Sequence, residues 1–278
     1  TMVDWEQFIV LRFNTKELIE ISTEEEFSYN RAQRWMLDHE KFSIQIVVLY
    51  LATIFFLKQF MTFRQPFILM WPNRAWNITI ALLSFICAVG MTNEFFTTLF
   101  KRGINVSMCS SSDTFFHGSN GFFLWIYHII RLFEFTDTFF IILRKQPLLF
   151  IHWYHHALTL FTSWFTYARP SPFSRYGIYC NALIHTVMYT YFFLRSCNFR
   201  LPPIVAKSIT TAQIIQFIIC LWAQIHPTVM KFILGIPCEL DNSALLLSWF
   251  MVVCYLHLFI HFFIKKYTKK SEKRDKLE

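Results

Sequence analysis

Residues 243–264 read SALLLSWFMVVCYLHLFIHFFI, a run of 22 residues without Lys, Arg, Asp or Glu. A helix needs about 20 predominantly apolar residues to cross the hydrocarbon core of a bilayer, so this run predicts a transmembrane helix. Seven of the chain's 26 Lys and Arg residues follow it directly, between residues 265 and 278. Basic residues beside an apolar helix favour the cytosolic side of a membrane. The C-terminus is therefore predicted to be cytosolic.

The composition of the whole chain indicates the same class of protein. Of its 278 residues, 55% are hydrophobic and 16% are charged, and Phe occurs 34 times. A soluble domain carries about 25% charged residues and cannot bury so much aromatic surface. Disordered, collagen-like and small disulfide-rich secreted chains are excluded as well. The net charge is +8, but because seven of the basic residues lie in the tail beside an apolar helix, we expect no nucleic-acid partner. The composition predicts an all-α, polytopic membrane protein.

Seven apolar stretches are long enough to span a membrane. They lie at 43–61, 76–99, 114–143, 149–168, 175–194, 204–226 and 243–264. The side that holds the tail has 15 basic residues in its loops and the opposite side has 5, which agrees with a cytosolic C-terminus. An odd number of spans then places the N-terminus on the other side. We expect a lumenal N-terminal region, a seven-helix membrane domain and a basic cytosolic tail, at 1–42, 43–264 and 265–278.

Two loops on the predicted non-cytosolic side carry residues suited to an oxidising lumen. Cys109 lies in the loop between the second and third predicted spans, and Cys238 lies in the loop between the sixth and seventh. The two residues form either a disulfide or a pair of free thiols. Asn105-Val-Ser107 is a glycosylation sequon on the same side, so Asn105 is a predicted glycosylation site.

Ionisable and amide side chains inside the spans form a second pattern. Such residues are costly in a membrane and usually functional. Counted at about 1.5 Å per residue from the cytosolic helix ends, they occupy one layer in the cytosolic half of five helices. The layer contains Arg131, Glu134, Asp137, His152, His155, His156, Asn181, His185, Gln213, Gln216, His257 and His261. The other half is nearly all aliphatic and aromatic. This predicts a reaction chamber facing the cytosol, above an apolar compartment that fits a long acyl chain.

The sharpest motif is His152-Trp-Tyr-His155-His156, whose spacing puts three imidazoles on one helix face. Imidazole suits nucleophilic or general-base catalysis, it binds metals, and it also serves in structural hydrogen-bonded clusters. The metal alternative is a di-iron desaturase or hydroxylase, but those enzymes need about eight histidines in several boxes. A non-enzymatic seven-helix receptor or transporter is a further alternative, which would not require the histidines.

Four motifs follow one another in a fixed order. They are Arg131-Leu-Phe-Glu134-Phe-Thr-Asp137-Thr138; Leu143-Arg144-Lys145-Gln146-Pro147-Leu148 followed by the histidine box; Asn181, His185, Met188, Tyr189 and Phe192; and Thr210, Gln213 and Gln216. In this order they resemble the very-long-chain fatty acid elongase family, whose members condense acyl-CoA with malonyl-CoA. The family's usual first residue is Lys, so Arg131 keeps the charge but changes the contact geometry.

The resemblance implies an acyltransferase, a very-long-chain 3-oxoacyl-CoA synthase, in which six of the seven helices enclose an acyl tunnel open to the cytosol. Acyl-CoA and malonyl-CoA would give 3-oxoacyl-CoA, CoA and carbon dioxide without a cofactor or metal. The resemblance favours His155 as the nucleophile that forms an acyl-imidazole, with His156 as the alternative. His185 would handle the second substrate or a proton, and His152 and Asp137 would orient the nucleophile.

The expected substrate contacts come from three groups of residues. Asn181, Gln213 and Gln216 would donate to a thioester or enolate oxygen, with Tyr189 beside them in the same motif. Glu134 and Arg131 contact substrate or form a buried structural pair. Arg144, Lys145 and Lys207 are candidates for the phosphates of CoA, or serve only as positive-inside charges.

The resemblance also implies a place in the cell and partners. The protein would be a multi-pass protein of the endoplasmic reticulum membrane, in contact with lipid. Its partners would be the other enzymes of the elongation cycle, namely the ketoacyl reductase, the dehydratase and the enoyl reductase. A homodimer and the preferred chain length and unsaturation remain open at this point.

Overall fold

A computed structural model describes residues 13–110 and 113–268. Within these ranges the chain is helical without strands, which confirms the predicted all-α class. The α-helices are α1 (Thr15–Thr23), α2 (Tyr29–Asp38), α3 (Glu40–Met61), α4 (Met70–Thr97), α5 (Ile104–Cys109), α6 (Asp113–Phe116), α7 (Gly118–Phe133), α8 (Phe135–Leu143), α9 (Phe150–Tyr167), α10 (Ser174–Ser196), α11 (Pro203–Thr228) and α12 (Asn242–Phe263). Short π-helical turns extend α4, α11 and α12, at Thr98–Arg102, Val229–Ile233 and Ile264–Thr268.

Four helices of the described residues are long and apolar enough to cross a membrane. They are Glu40–Met61, Met70–Arg102, Pro203–Ile233 and Asn242–Thr268. These helices coincide with the predicted spans 43–61, 76–99, 204–226 and 243–264. The chain is therefore a multi-pass membrane protein. The basic tail that was predicted from residue 265 is described only as far as Thr268, and its remaining residues lie outside the described ranges.

The other three predicted spans coincide with helices that are shorter or more polar. The stretch 114–143 is broken at Glu134, between α7 and α8, where the Asp137 N–H bonds the Glu134 carbonyl at 3.1 Å in a tightened turn. Helices α9 and α10, with 18 and 23 residues, occupy the stretches 149–168 and 175–194. Both carry polar residues of the sequence motifs, and these lower their apolar character.

Six helical units pack side by side in a closed order. The order is α4, α10, α11, α12, α9 and the α7–α8 pair, which returns to α4. Helix α3 packs outside this ring, against α8 and α9. The crossing of α4 and α7 depends on a glycine, because a Cβ at Gly90 would lie 2.1 Å from the ring of Phe123. The ring leaves space between its helices for the cavities described below.

The N-terminal region contributes two helices that sequence analysis did not resolve within 1–42. Trp35 on α2 is buried against Trp125 and Trp164, with ring centroids 5.5 and 5.4 Å away. The Trp164 indole donates to the Met36 carbonyl (2.8 Å), and the Tyr29 hydroxyl donates to the Tyr167 carbonyl (3.3 Å). Helix α2 is thereby fixed to the last turns of α9.

The opposite end of the ring from Arg144 and Arg195 is held by a disulfide between Cys109 and Cys238, and we call it the disulfide end. The Glu239 N–H also donates to the Cys109 carbonyl (2.7 Å). Nearby, Phe173 packs with Leu240 and Leu245 in a small buried cluster. Asn105 lies here too, exposed on α5, where its side-chain oxygen is 3.2 Å from His226 Nε2.

Candidate active site

A cavity of about 530 Å³ lies at the end of the ring opposite the disulfide. We call it the mouth cavity. All three histidines of the box line it, and His185 lines it from the neighbouring α10 side. The other predicted site residues in its wall are Asp137, Arg144, Asn181, Tyr189, Gln213 and Gln216. Residues from each of the four sequence motifs therefore line one cavity.

The histidine box sits on the first turns of α9, which begins just after the extended Leu149. His155 differs from its two neighbours in its contacts. Its ring lies 4.8 Å from the ring of Tyr255, whose hydroxyl donates to the His155 carbonyl (2.9 Å). No hydrogen bond to a His155 ring nitrogen is formed by the described residues, so this imidazole is available to a molecule in the cavity.

His152 and His156 instead contact neighbouring polar groups. His152 Nε2 lies 3.0 Å from the hydroxyl of Thr138, which is itself 2.7 Å from the hydroxyl of Tyr50. His156 Nε2 lies 3.9 Å from Asp137 Oδ2, and the rings of His152 and His156 are 4.5 Å apart. Asp137 thus approaches His156, and His152 is oriented by Thr138.

Asp137 is held from two sides by hydrogen-bond donors. The Trp76 indole donates to Oδ1 at 2.5 Å, and the Tyr189 hydroxyl donates to Oδ2. These two contacts connect α4, α8 and α10 at one carboxylate. With a donor on each of its two oxygens, the carboxyl group of Asp137 is fixed in position beside the box.

Arg131 and Glu134 form an ion pair behind the cavity wall, with Nη2 and Oε1 separated by 3.0 Å. Both side chains are almost fully buried and neither lines the mouth cavity. Arg131 Nη1 donates to Asn181 Oδ1 at 3.2 Å, and Asn181 also accepts from the Tyr127 hydroxyl at 2.8 Å. The pair therefore supports residues of the wall.

The same pair determines the orientation of His185. His185 Nδ1 lies 3.3 Å from Arg131 Nη1 and 3.2 Å from Glu134 Oε1. If Nδ1 accepts from the Arg131 guanidinium, the imidazole proton is on Nε2, which then donates. If Nδ1 carries the proton and donates to the Glu134 carboxylate, Nε2 is unprotonated and acts as a base. The buried pair thus controls whether the second nitrogen donates or accepts.

Two of the predicted phosphate-binding residues do not line the mouth cavity. The Lys145 side chain is exposed and donates to the Thr62 carbonyl (3.3 Å), and Lys207 Nζ lies 5.8 Å from the centre of the Phe263 ring. Arg144 and Arg195 do line it, at the ends of α8 and α10. Among the described residues, Arg144 and Arg195 are thus the Lys or Arg side chains that line the cavity.

The prediction that His257 and His261 belong to the polar layer is wrong. Both side chains are exposed on the outer face of α12, and Phe259 and Phe262 line the cavity instead. Their i, i+4 spacing correctly puts them on one face, but it does not say which face packs inward. Among the described residues, no cluster of three or more His, Cys, Asp or Glu side chains could hold a metal.

A second cavity of about 110 Å³, the deep cavity, adjoins the first at His155, Asn181 and Gln216. It reaches Phe173 at the disulfide end. The prediction of an aliphatic and aromatic compartment is wrong in part. Its wall also contains hydroxyl and amide groups, from Thr159, Thr162, Ser163, Thr166, Ser174, Gln224 and Ser248.

Sequence analysis missed several wall residues, of which His128 and Tyr255 are the most informative. Both line the deep cavity. A signal for His128 is present, because it precedes Arg131 by three residues and so shares its helix face. The hydroxyl residues of α9 also carry a signal, since Thr159, Thr162, Ser163 and Thr166 continue the spacing of the histidine box along one face.

Comparison with known proteins gives consistent matches. The model of the GNS1/SUR4 (ELO) family matches residues 35–275. Long chain fatty acid elongase 1 of Caenorhabditis elegans is 39% identical over 257 residues, which are 92% of this chain and 89% of that protein. Long chain fatty acid elongase 2 of the same organism is 35% identical over 234 residues, 84% of this chain and 85% of that protein. Very long chain fatty acid elongase 6 of Mus musculus is 35% identical over 202 residues, 72% of this chain and 75% of that protein.

Proposed function

Because this chain belongs to the GNS1/SUR4 family, whose members named above are fatty acid elongases, we propose that it catalyses the condensing step of fatty acid elongation. A long-chain acyl-CoA and malonyl-CoA give 3-oxoacyl-CoA, CoA and carbon dioxide. The observation that carries the proposal is the position of His155. His155 lines the mouth cavity together with His185 and also borders the deep cavity, which extends toward the disulfide end.

The first half-reaction transfers the acyl group to His155. A neutral ring nitrogen attacks the thioester carbonyl, the C–S bond breaks, and the imidazole proton leaves with the thiolate as CoA. Tyr255 contacts the His155 ring at 4.8 Å between centroids and donates to the His155 carbonyl, so the ring needs little reorganisation. Asn181 and Gln216, which border both cavities beside His155, are the candidate donors to the carbonyl oxygen.

The second half-reaction forms the new carbon–carbon bond. Malonyl-CoA loses carbon dioxide, and the resulting enolate carbon attacks the acyl-imidazole. The C–N bond breaks and His155 regains a proton, so atoms and charge balance. We assign His185 to this substrate, because Arg131 and Glu134 orient its ring from behind the wall. His156 and Asp137 are the alternative proton-handling pair, at 3.9 Å.

The polar mouth is assigned to the CoA moieties. Arg144 and Arg195 line it and suit phosphate oxygens, because a guanidinium binds phosphate through two parallel hydrogen bonds. Lys145 and Lys207 would attract the CoA phosphates electrostatically from a longer distance. Gln213, which donates to the Met188 sulfur at 3.4 Å, and Tyr189 shape the wall between the phosphates and the histidines.

We propose a seven-span topology in which the ring of six helices forms an acyl tunnel. The protein would lie in the endoplasmic reticulum membrane, with a lumenal N-terminus and a cytosolic C-terminus. The disulfide and the exposed Asn105 at one end, and the arginines at the other, support this orientation. We propose no cofactor, and we expect the reductases and dehydratase of the cycle as partners. Removal of N-glycans should change the mobility of the wild type but not of Asn105→Gln.

The test uses the full chain in detergent or microsomes with labelled malonyl-CoA. We expect His155→Ala to abolish incorporation, whereas the matched control His257→Ala, on the exposed face of α12, should retain it. With acyl-CoA alone, mass spectrometry should find an acyl adduct on the peptide that contains His155. Full incorporation by a folded His155→Ala protein overturns the assignment of the nucleophile, and an adduct on His156 transfers the role to that residue.

A further inference from the structure

Tyr50 makes a polar contact between α3, which packs outside the ring, and the wall of the active site. It is one of four buried residues on this helix, and its ring stacks on that of Phe135 with 3.9 Å between centroids. The Tyr50 hydroxyl lies 2.7 Å from Thr138 Oγ1, and both residues are buried. A phenylalanine would stack on Phe135 equally well, so packing alone does not account for the hydroxyl.

The contact continues into the histidine box. Thr138 Oγ1 is also 3.0 Å from Nε2 of His152, so two hydroxyls and an imidazole form a chain that begins at Tyr50. His152 Nδ1 forms no hydrogen bond with the described residues, and it is not among their buried unpaired atoms. This second ring nitrogen is therefore open to a molecule in the mouth cavity, which His152 lines.

The direction of the chain follows from its two hydroxyl protons. If Tyr50 donates to Thr138 and Thr138 donates to His152 Nε2, both protons are bonded and Nε2 is the acceptor. If Nε2 carried a proton, it would donate to Thr138, and one of the two hydroxyl protons would have no acceptor among the described residues. A buried donor without a partner is costly, so the first arrangement is favoured. His152 therefore carries its proton on Nδ1, the nitrogen that is open to the cavity.

The position of His152 along α9 indicates which substrate this N–H meets. His152 precedes His155 by three residues, so it lies about 4.5 Å nearer the mouth along the helix axis. It lines the mouth cavity but not the deep cavity, whereas His155 borders both. An acyl group on His155 with its chain in the deep cavity leaves the mouth side, where His152 lies, to malonyl-CoA.

We propose that Tyr50 is a positioning residue for the condensing step, and that it acts through Thr138 to hold His152 as an N–H donor to malonyl-CoA. The proposal rests on the proposed function. When the bond to the leaving carboxylate breaks, its electron pair passes into the enolate, and negative charge develops on the thioester oxygen. The Nδ1–H of His152 stabilises this charge by hydrogen bonding, without transferring its proton. An imidazole already held in one tautomer needs little reorganisation as the charge forms.

The experiment measures the two half-reactions separately, with the full chain in detergent. Acyl-CoA alone gives the rate of adduct formation on His155, and malonyl-CoA with a labelled carboxyl group then gives the rate of carbon dioxide release. We expect Tyr50→Phe to slow carbon dioxide release by about tenfold, the effect of losing one hydrogen bond of about 1.4 kcal/mol, and to leave adduct formation unchanged. Tyr176→Phe is the matched control, because the Tyr176 hydroxyl lies 2.7 Å from Ser107 Oγ at the disulfide end. Both rates should be unchanged in that variant.

Substitutions of Thr138 test the chain of hydrogen bonds. Thr138→Val removes the donor to His152 and should slow carbon dioxide release at least as much as Tyr50→Phe, whereas Thr138→Ser keeps a hydroxyl and should restore most of the rate. A merely structural contact would instead lower the melting temperature and slow both half-reactions equally. Carbon dioxide release at the wild-type rate in Tyr50→Phe overturns the proposal. Equal slowing of both half-reactions also overturns it, and so does a Thr138→Ser protein as slow as Thr138→Val.

The tautomer of His152 separates this proposal from the proposed function. Nitrogen NMR of the protein with isotope-labelled histidine distinguishes a proton on Nδ1 from one on Nε2, and the His152 signal is the one that His152→Ala lacks. We expect the proton on Nδ1 in the wild type and a mixture of tautomers in Tyr50→Phe. That result without condensation by the wild type supports the control of His152 by Tyr50 and overturns the condensing function. Condensation by a wild type with the proton on Nε2 supports the function and overturns the proposal.

Discussion

The ion pair between Glu94 on α4 and Arg175 on α10 should be a large single contribution to stability at the disulfide end. The guanidinium donates to both carboxylate oxygens, at 3.1 and 3.0 Å, and also to the Ser107 carbonyl. It lies 4.2 Å from the centre of the Phe115 ring. Arg175 is only 2% exposed and Glu94 is 9% exposed. Removal of one partner therefore leaves a charge that water cannot reach.

We expect Glu94→Gln to reduce the free energy of unfolding by about 3–5 kcal/mol, the range for breaking a buried pair. Two charge-assisted hydrogen bonds, each contributing about 1.5–3 kcal/mol, are lost or become neutral. At about 2–4 °C for each kcal/mol, the apparent melting temperature should fall by about 6–20 °C. The fluorescence of the nine Trp residues during heating in detergent provides the measurement.

A half-exposed ion pair provides the matched control. Arg169 Nη2 lies 3.0 Å from Glu40 Oε2, a similar distance, but the two side chains are 22% and 29% exposed. Glu40→Gln should therefore cost no more than about 1 kcal/mol. The double variant Glu94→Leu with Arg175→Met should be more stable than Glu94→Gln, because no unpaired charge remains. A loss from Glu94→Gln no larger than that from Glu40→Gln would refute the reasoning.

Three further predictions concern the same end of the molecule. Cys238→Ser should lower the free energy of unfolding by about 2–5 kcal/mol, since the Cys109–Cys238 bridge joins residues 129 positions apart in the sequence. On a non-reducing gel, the loss of the bridge should change the mobility of the protein. Gly121→Ala should strongly reduce the yield of folded protein in size-exclusion chromatography, because a Cβ there would lie 2.0 Å from the Phe116 carbonyl oxygen. Gly177→Ala is the control, because a Cβ at that position would lie 3.3 Å from its nearest atom. Asp241 caps α12 by accepting from a backbone N–H of its first turn (2.8 Å), so Asp241→Ala should cost about 1 kcal/mol in a thermal melt. Partial burial tends to raise the pKa of Asp241, but hydrogen bonds from the first turn lower it overall. The cap therefore stabilises the folded protein at pH values above the unfolded pKa of the carboxyl, and this contribution is lost as pH falls through the lower folded pKa. A cap contribution that grows on acidification contradicts this reasoning.

The sequence predicts the polar half of the site well because membrane helices leave few places for polar residues. A charged or amide side chain inside a span is costly wherever it faces lipid, so its presence alone indicates that it faces the interior of the protein. This argument correctly brings His155, His185 and Asp137 to one cavity. It fails for His257 and His261, because periodicity gives a common face and packing decides where that face points. Tyr255 and Phe259, on the same helix, show the inward direction only once α12 is placed against α9.

Neither the N-terminal helices nor the hydrogen-bond pairing of the hydroxyls in the deep-cavity wall could be predicted, and the reasons differ. Helix α2 has a mixed sequence, and its position depends on contacts such as the Trp164 indole with the Met36 carbonyl, far apart in the chain. The deep cavity was predicted to be apolar because hydroxyl residues score as nearly neutral in hydropathy, and many bond their own helix. The Thr166 hydroxyl does so, whereas that of Thr162 does not, and no single-sequence pattern separates the two.

The order of polar groups along α9 has a physical reason. Imidazoles occupy the turns next to the mouth cavity, whose wall also carries the guanidinium groups of Arg144 and Arg195 and the amides of Asn73, Gln146 and Gln213. Hydroxyls occupy the turns toward the disulfide end, where an ionisable group would have no aqueous neighbour and its charged form would be costly. A hydroxyl there can bond its own helix, as Thr166 does, or remain unpaired, as Thr162 does. One helix face therefore carries imidazoles at one end and hydroxyls at the other, and His155, which borders both cavities, lies where the two meet.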